Sequence, residues 1–135
     1  MKKVGYVLAA FPVLSETFVG TEIRAMEQLG HNIVPIAFER SSAPVQNKDQ
    51  RFLNETHYVT DVGILDILAN VPFRLGKLGE AVSFAQSQTS VRFRSLMWQA
   101  LKVAAIAKKQ GCEHLHAHFA LNSAATAIVA AKLLN

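Results

Sequence analysis

The sequence has little cysteine, no long apolar run and no secretory leader pattern. One cysteine, Cys112, stands among 135 residues, so no disulfide can form within the chain, and we expect a small buried side chain there. Asp66, Asn70 and Arg74 interrupt the longest apolar runs, which stay below the roughly 20 residues that span a bilayer. The basic start leads into a short apolar run without a small-residue cleavage site. These absences argue against a disulfide-rich secreted scaffold and a membrane span, and they predict a location in the cytoplasm.

The chain does contain enough apolar surface for one domain. Hydrophobic residues make up 50% of it, and a chain of this length buries about two-thirds of its unfolded surface on folding. No internal repeat or low-complexity segment interrupts it. We therefore expect a single domain over residues 1–135.

The first forty residues predict a strand, a helix and a second strand. The apolar run Val4–Ala9 has the length of a buried strand, and Ser15 can cap a helix that Gly30 ends in a left-handed conformation. Ile33–Phe38 is apolar on both faces, like a parallel strand, although Pro35 indicates an edge, a bulge or an early strand end. The buried stripe of the helix is predicted to contain Val19, Ile23, Met26 and Leu29.

The middle of the chain predicts shorter elements. The polar segment Glu39–Glu55 is typical of a loop, His57–Thr60 of a short third strand, and Val62–Leu78 of two short helices. A longer helix then begins after Ser90 as its cap and ends at Gly111. One face of this helix is predicted to carry Phe93, Met97, Ala100, Leu101 and Ala104.

A fourth strand, His114–Ala117, carries the most informative pattern. Side chains alternate along a strand, so three histidines share one face and Leu115 shares the other with Ala117. The three are His114, His116 and His118. Only His118 lies at the carboxyl end, where open α/β sheets form their ligand crevice. Asn122 or Ser123 then caps a helix, along which Ala124, Ala127, Ile128, Ala131 and Leu134 recur at helical spacing.

These elements predict a three-layer, Rossmann-like α/β unit with a parallel sheet of about four strands. Right-handed crossovers favour the strand order 3-2-1-4. The first and fourth strands would then be neighbours, and their carboxyl ends would form the switch point of the sheet.

Two motifs, far apart in the chain, together resemble a known family. The first is Phe-Pro-Val-Leu-Ser-Glu-Thr-Phe at 11–18, followed by Glu22–Ala25 and Leu29–His31, and the second is His116–Phe119 before an alanine-rich helix. Over almost its whole length the chain resembles the amino-terminal domain of retaining glycosyltransferases of family four. That resemblance implies the GT-B fold, in which two Rossmann-like domains face each other across a cleft. The second domain and its paired glutamates are not in this sequence, so the chain would be an incomplete, acceptor-side part of such an enzyme.

The resemblance also implies the site. His118 would be the catalytic residue, lining the cleft near the reacting sugar, and the substrate-binding residues would be Ser15, Glu16, Thr17, Phe119 and Asn122. A sugar nucleotide would be a substrate, the acceptor a carbohydrate or a lipid-linked molecule, and no metal or cofactor is expected. Synthesis of cell-surface polysaccharide or glycolipid is the implied role. Many relatives carry paired glycines where this chain has 15–17, and those three residues are alternatively helix caps alone.

Two alternatives remain open from the residues themselves. Three imidazoles on one strand face are also a partial zinc ligand set, although His114 and His116 equally suit neutral groups packed against the core. The chain is alternatively a non-catalytic Rossmann-like module that binds a ligand or a protein. A Gly-x-Gly-x-x-Gly fingerprint would favour a dinucleotide module, and the first turn has none.

Positive charge is concentrated between residues 71 and 110. This segment holds seven basic side chains and one acidic one, a net charge of +6 within a chain of +4. Aromatic residues, among them Phe84 and Trp98, are interleaved with the cations, as in interfacial helices. The pattern is typical of a surface that meets anionic lipid at the inner face of the membrane, of one that meets an anionic acceptor, or of a solvated helix face. No nucleic-acid-binding motif accompanies the charge, so nucleic acid is not an expected partner.

Overall fold

A computed structural model describes residues 2–10, 17–39, 51–72, 75–88, 92–117 and 122–134. The strands are β1 (Lys3–Ala10), β2 (Asn32–Glu39), β3 (His57–Tyr58) and β4 (His114–Ala117). The helices are α1 (Thr17–Gln28), α2 (Phe52–Glu55), α3 (Ile64–Asn70), α4 (Leu75–Ser87), α5 (Phe93–Gln110) and α6 (Asn122–Leu134), and a 3-10 helix at Val59–Asp61 follows β3.

The four strands form one parallel sheet in the order β3-β2-β1-β4. This is the predicted order, and the α/β, Rossmann-like class is confirmed. In the register of β1 with β4, Tyr6 lies opposite His116 and Val7 lies opposite Ala117. The carboxyl ends of β1 and β4 therefore meet at the same edge of the sheet.

Alternate side chains of β1 point into two separate hydrophobic cores. Tyr6 and Leu8 point into the smaller core, which they share with Val19 and Ile23 of α1. Val7 points into the larger core, on the face covered by α3, α4, α5 and α6. The period-two alternation of the strand thus places one layer of helices on each side of the sheet, which gives three layers.

Both predicted glycine caps are present. Gly30, which follows α1, has a φ of +93°, and Gly111, which follows α5, has a φ of +73°. The backbone N–H of Gly111 donates to the carbonyls of Ala107 and Lys108, and so satisfies the end of α5. Lys108 and Lys109 lie in that last turn, where cations are favourable at the negative end of the helix dipole.

The middle of the chain departs from the prediction in three places. The third strand was predicted over His57–Thr60 but stops at Tyr58, because Val59 turns into the larger core as the 3-10 helix begins. The loop predicted at Glu39–Glu55 is wrong at both ends, since β2 includes the first residue and α2 the last four. Residues 40–50 lie outside the described part. The second helix predicted within 62–78 is α4, which extends to Ser87, and Ser90 lies outside the described residues.

Pro35 is accommodated without a bulge or an early strand end. β2 continues four residues beyond it, and the pairing of β2 with β3 begins one residue later, at Ile36. At Pro35, β2 is therefore paired with β1 alone. This position is locally an edge, which is the first of the three predicted possibilities.

The predicted helix faces are correct in period and partly wrong in rotation. Leu29 is 74% exposed, because α1 ends at Gln28 and the chain is already turning. Phe93 and Ile128 are exposed as well. The buried face of α5 consists of Leu96, Ala100, Val103, Ala104, Ala105, Ile106 and Ala107. The buried residues of α6 are Ala125, Thr126, Ala127, Val129, Ala130 and Leu133.

We expect Gly5→Val to lower the free energy of unfolding by about 1–3 kcal/mol, the usual cost of overpacking a core. A Cβ at Gly5 would lie 2.8 Å from Leu115 Cδ2 and 3.2 Å from Ile36 Cδ1, so one side chain or the other must shift. Denaturant titration measures the loss. The matched control is Gly79→Ala in α4, where a Cβ meets nothing within 4 Å. It should stabilise by about 0.5–1 kcal/mol, and equal effects of both variants would contradict the assignment of a close approach at Gly5.

Candidate functional site

Most of the predicted site lies outside the described residues. This applies to Ser15, Glu16, His118 and Phe119, and to the side chains of Thr17 and Asn122. The structure does describe the four elements that adjoin these residues. Strands β1 and β4 precede them along the chain, α1 begins at Thr17 and α6 begins at Asn122. Since β1 and β4 are neighbours, the two predicted motifs follow adjacent strands.

Directly before this edge, three side chains form a polar cluster that joins β1, β4 and α1. The phenol of Tyr6 donates a hydrogen bond to Glu22 Oε1 at 2.9 Å. The imidazole Nε2 of His116 lies 3.8 Å from the same Glu22 oxygen. The rings of Tyr6 and His116 are 4.8 Å apart, centroid to centroid, and tilted by 39°. One carboxylate oxygen therefore faces a phenol from β1 and an imidazole from β4.

The sequence builds this cluster by two periodicities. Tyr6 and His116 are opposite residues of paired strands, so their side chains leave the sheet on the same face. Glu22 stands one residue before Ile23, beside the buried stripe of α1 that includes Val19. When that stripe packs on the sheet, the flanking carboxylate is carried over the β1–β4 pair.

Burial is graded across the cluster. Tyr6 is 2% exposed, whereas the side chains of Glu22 and His116 are 38% and 43% exposed. Burial raises the pKa of the Tyr6 phenol well above its usual range, and the hydrogen bond to Glu22 and the negative charge of Glu22 raise it further. Tyr6 is thus a neutral donor that anchors Glu22, while the other two groups are accessible to water and to a ligand.

The cluster places a carboxylate beside an imidazole. Glu22 Oε1 lies 3.8 Å from His116 Nε2, which is beyond direct hydrogen-bond distance, so the contact is electrostatic. His118, two residues farther along the sequence, lies outside the described residues. Tyr6 and Glu22 were missed at the sequence level, although Glu22 stood inside the quoted motif. Its place next to a buried apolar stripe was the available signal.

The Tyr6–Glu22–His116 cluster does not include His31, His114 or Cys112. His114 is exposed, and His31 Nδ1 accepts the backbone N–H of Lys2 at 3.3 Å. Burial raises the pKa of the Cys112 thiol, and Lys3 opposes that shift. The side chain of Cys112 packs against the larger core but is only partly buried, whereas a buried side chain was predicted. Within the described residues, no group of three His, Cys, Asp or Glu side chains is arranged to hold a metal ion.

Comparisons with known proteins add no identity. No family model, no curated protein and no solved structure matches this chain. Among the described helices, none has the length and apolar character needed to cross a membrane. The functional argument therefore rests on the motifs and on the geometry of the cluster.

We expect Tyr6→Phe to change the pH dependence of stability. Because the phenol pKa is raised in the folded chain, the unfolded chain loses its proton first, and the free energy of unfolding falls as pH rises above about 10. Removing the hydroxyl should also cost about 1–2 kcal/mol at neutral pH, through the lost bond to Glu22. Urea titrations of both proteins between about pH 8 and 11, on either side of the ordinary tyrosine pKa, measure the free energy of unfolding. The variant should lose less stability across that range, and parallel curves would contradict a buried, protonated Tyr6.

Proposed function

We propose that this chain is the acceptor-side domain of a glycosyltransferase that moves a sugar from a sugar nucleotide to a carbohydrate or lipid-linked acceptor. The observation that carries the proposal is the adjacency of β1 and β4. It puts the strands that lead to the two motif segments side by side, at the end of the sheet where Rossmann-like units bind ligands. Synthesis of cell-surface polysaccharide or glycolipid, in the cytoplasm at the inner membrane face, is the setting the motifs imply.

The polar cluster supports this proposal with chemistry that the motifs alone do not supply. An acceptor hydroxyl needs a hydrogen-bond acceptor near it as its oxygen attacks the sugar, and a developing oxocarbenium ion needs a polar, water-poor surrounding. A histidine face backed by Glu22 and Tyr6 offers oriented polar groups of this kind. In the proposal, His118 meets the donor sugar, and residues 15–17 with Asn122 hold the acceptor at the starts of two helices.

One domain supplies one wall of such a cleft. Catalysis by positioning and by electrostatic stabilisation requires a closed site from which water is excluded. In the proposal the donor nucleotide is held by a second Rossmann-like domain, beyond the 135 residues. The chain alone would then bind the donor too weakly to turn it over.

A second proposal concerns the amino end of α5, as a surface that meets anionic lipid. Phe93 is 37% exposed and Trp98 is 42% exposed, and Arg92 and Arg94 beside them are exposed as well. The ammonium of Lys102 lies 5.1 Å from the centre of the Trp98 ring. Aromatic rings next to cations are typical of interfacial helices. Lys108 and Lys109 lie at the opposite end of this helix, so they are less suited to the same contact.

We expect His118→Ala to lower transfer by the two-domain protein by about a hundredfold or more, the scale for removal of a preorganised polar group. Donor hydrolysis and transfer are assayed on the two-domain protein, on its His118→Ala variant and on the isolated chain, with circular dichroism as the folding control. The isolated chain should be inactive. Unchanged rates in a folded variant would remove His118 from the mechanism, and transfer by the isolated chain would overturn the two-domain proposal.

We expect Arg92→Gln with Arg94→Gln to weaken binding to anionic vesicles by about tenfold or more, because each cation near such a leaflet contributes about 1 kcal/mol. Sedimentation with phosphatidylserine-containing vesicles measures this, and binding should also fall as salt rises. The matched control, Lys2→Gln with Arg24→Gln, removes the same charge away from α5. Equal losses in both pairs, or equal binding to neutral vesicles, would favour a solvated helix face.

A further inference from the structure

A cavity lies beyond the outer edge of β3, away from the Tyr6–Glu22–His116 cluster. Its volume is about 260 Å³, and it is a half-open pocket lined by residues of β3, the 3-10 helix, α3 and the last turns of α5. Its floor is buried, with Tyr58 and Ile106 6% and 7% exposed. This volume is below the roughly 300–1,000 Å³ of pockets that take drug-sized ligands, so the cavity suits a smaller molecule.

Side chains of opposite charge line the cavity. They are Asp66 of α3, Asp61 of the 3-10 helix and Lys109 of α5. Within the part of the chain that the structure describes, Lys109 makes no ion pair or hydrogen bond, and Asp66 Oδ2 accepts one bond, from the Gly63 N–H at 3.2 Å. A carboxylate accepts about four hydrogen bonds and an ammonium donates three, so both retain most of their capacity.

Two further polar groups of the cavity lining are neutral. Asn70 lines the cavity and is held in place because its Nδ2 donates to the Asp66 carbonyl at 2.8 Å. His57 lines it too, and burial, Lys109 and Lys3 lower the pKa of its imidazole, which keeps it uncharged at neutral pH. Asp66 and Lys109 are therefore charged groups of the lining that keep hydrogen-bonding capacity for a ligand.

We propose that this cavity binds a small zwitterion, a molecule of amino-acid size with an ammonium group and a carboxylate group. Charge complementarity selects this class. The ammonium would pair with the Asp66 side and the carboxylate with Lys109, while an apolar side chain would rest on the buried floor at Ile106. A simple anion would be repelled by Asp66 and a simple cation by Lys109, and a neutral sugar would use neither charge. The inference is independent of the proposed glycosyl transfer.

The test is a nuclear magnetic resonance titration of the 135-residue chain with L-leucine as the probe. We expect amide shifts at residues 57, 66, 70 and 109, and a weakening of at least tenfold for L-leucinamide, which lacks the carboxylate, and for isocaproate, which lacks the ammonium. Lys109→Gln should weaken L-leucine binding by at least tenfold. Lys108→Gln is the matched control, because it removes the same charge from the neighbouring residue, outside the cavity lining.

Four other outcomes would contradict the proposal. Absence of shifts with L-leucine, or equal binding of L-leucine, L-leucinamide and isocaproate, would exclude a site that reads both charges. Tighter binding of glucose than of L-leucine would assign the cavity to polyhydroxyl ligands instead. Equal weakening by Lys109→Gln and Lys108→Gln would show that only the general charge of the helix end matters. Both lysines are exposed, so neither variant should unfold the chain.

Discussion

The parallel pairing of β1 with β4 is the constraint on which the rest of the candidate site depends. These strands lie near opposite ends of the chain, and most of the other elements lie between them in the sequence. Their register sets Tyr6 against His116, and so fixes which side chains share a face. The edge to which both motifs lead and the polar cluster before it both follow from this one pairing.

The same register keeps polar chemistry out of the larger core. A slip of one residue would turn Leu115 and Ala117 toward α1 and turn His114 and His116 into the apolar layer under α5 and α6. Buried imidazoles without partners are costly, so the slipped pairing is disfavoured on both faces at once. The alternation of histidine with apolar residues in β4 therefore specifies the fold as well as the chemistry.

The sequence predicted the sheet well because the apolar runs that form strands are visible in it, and doubly wound parallel sheets favour the order 3-2-1-4. The bounds of β4 were predicted at His114–Ala117, where alternation is strictest. The contact of Glu22 with Tyr6 was not predictable, since it depends on how α1 is rotated on the sheet. The one-turn helix α2 was missed because its anchor, Phe52, is a single buried residue beside a polar segment, covered by the Arg51 guanidinium at 4.4 Å. The cavity beside β3 likewise depends on how α3 packs on α5.

The graded exposure of the cluster explains how a carboxylate can sit over an apolar sheet at all. A fully buried carboxylate with one neutral donor would carry a desolvation penalty that a single hydrogen bond does not offset. Glu22 avoids most of that penalty, because its side chain is 38% exposed and the buried partner is the neutral phenol of Tyr6. Glu22 and His116 thus lie on the solvent side, and Tyr6 lies on the core side. The arrangement presents Glu22 and His116 where a ligand can reach them.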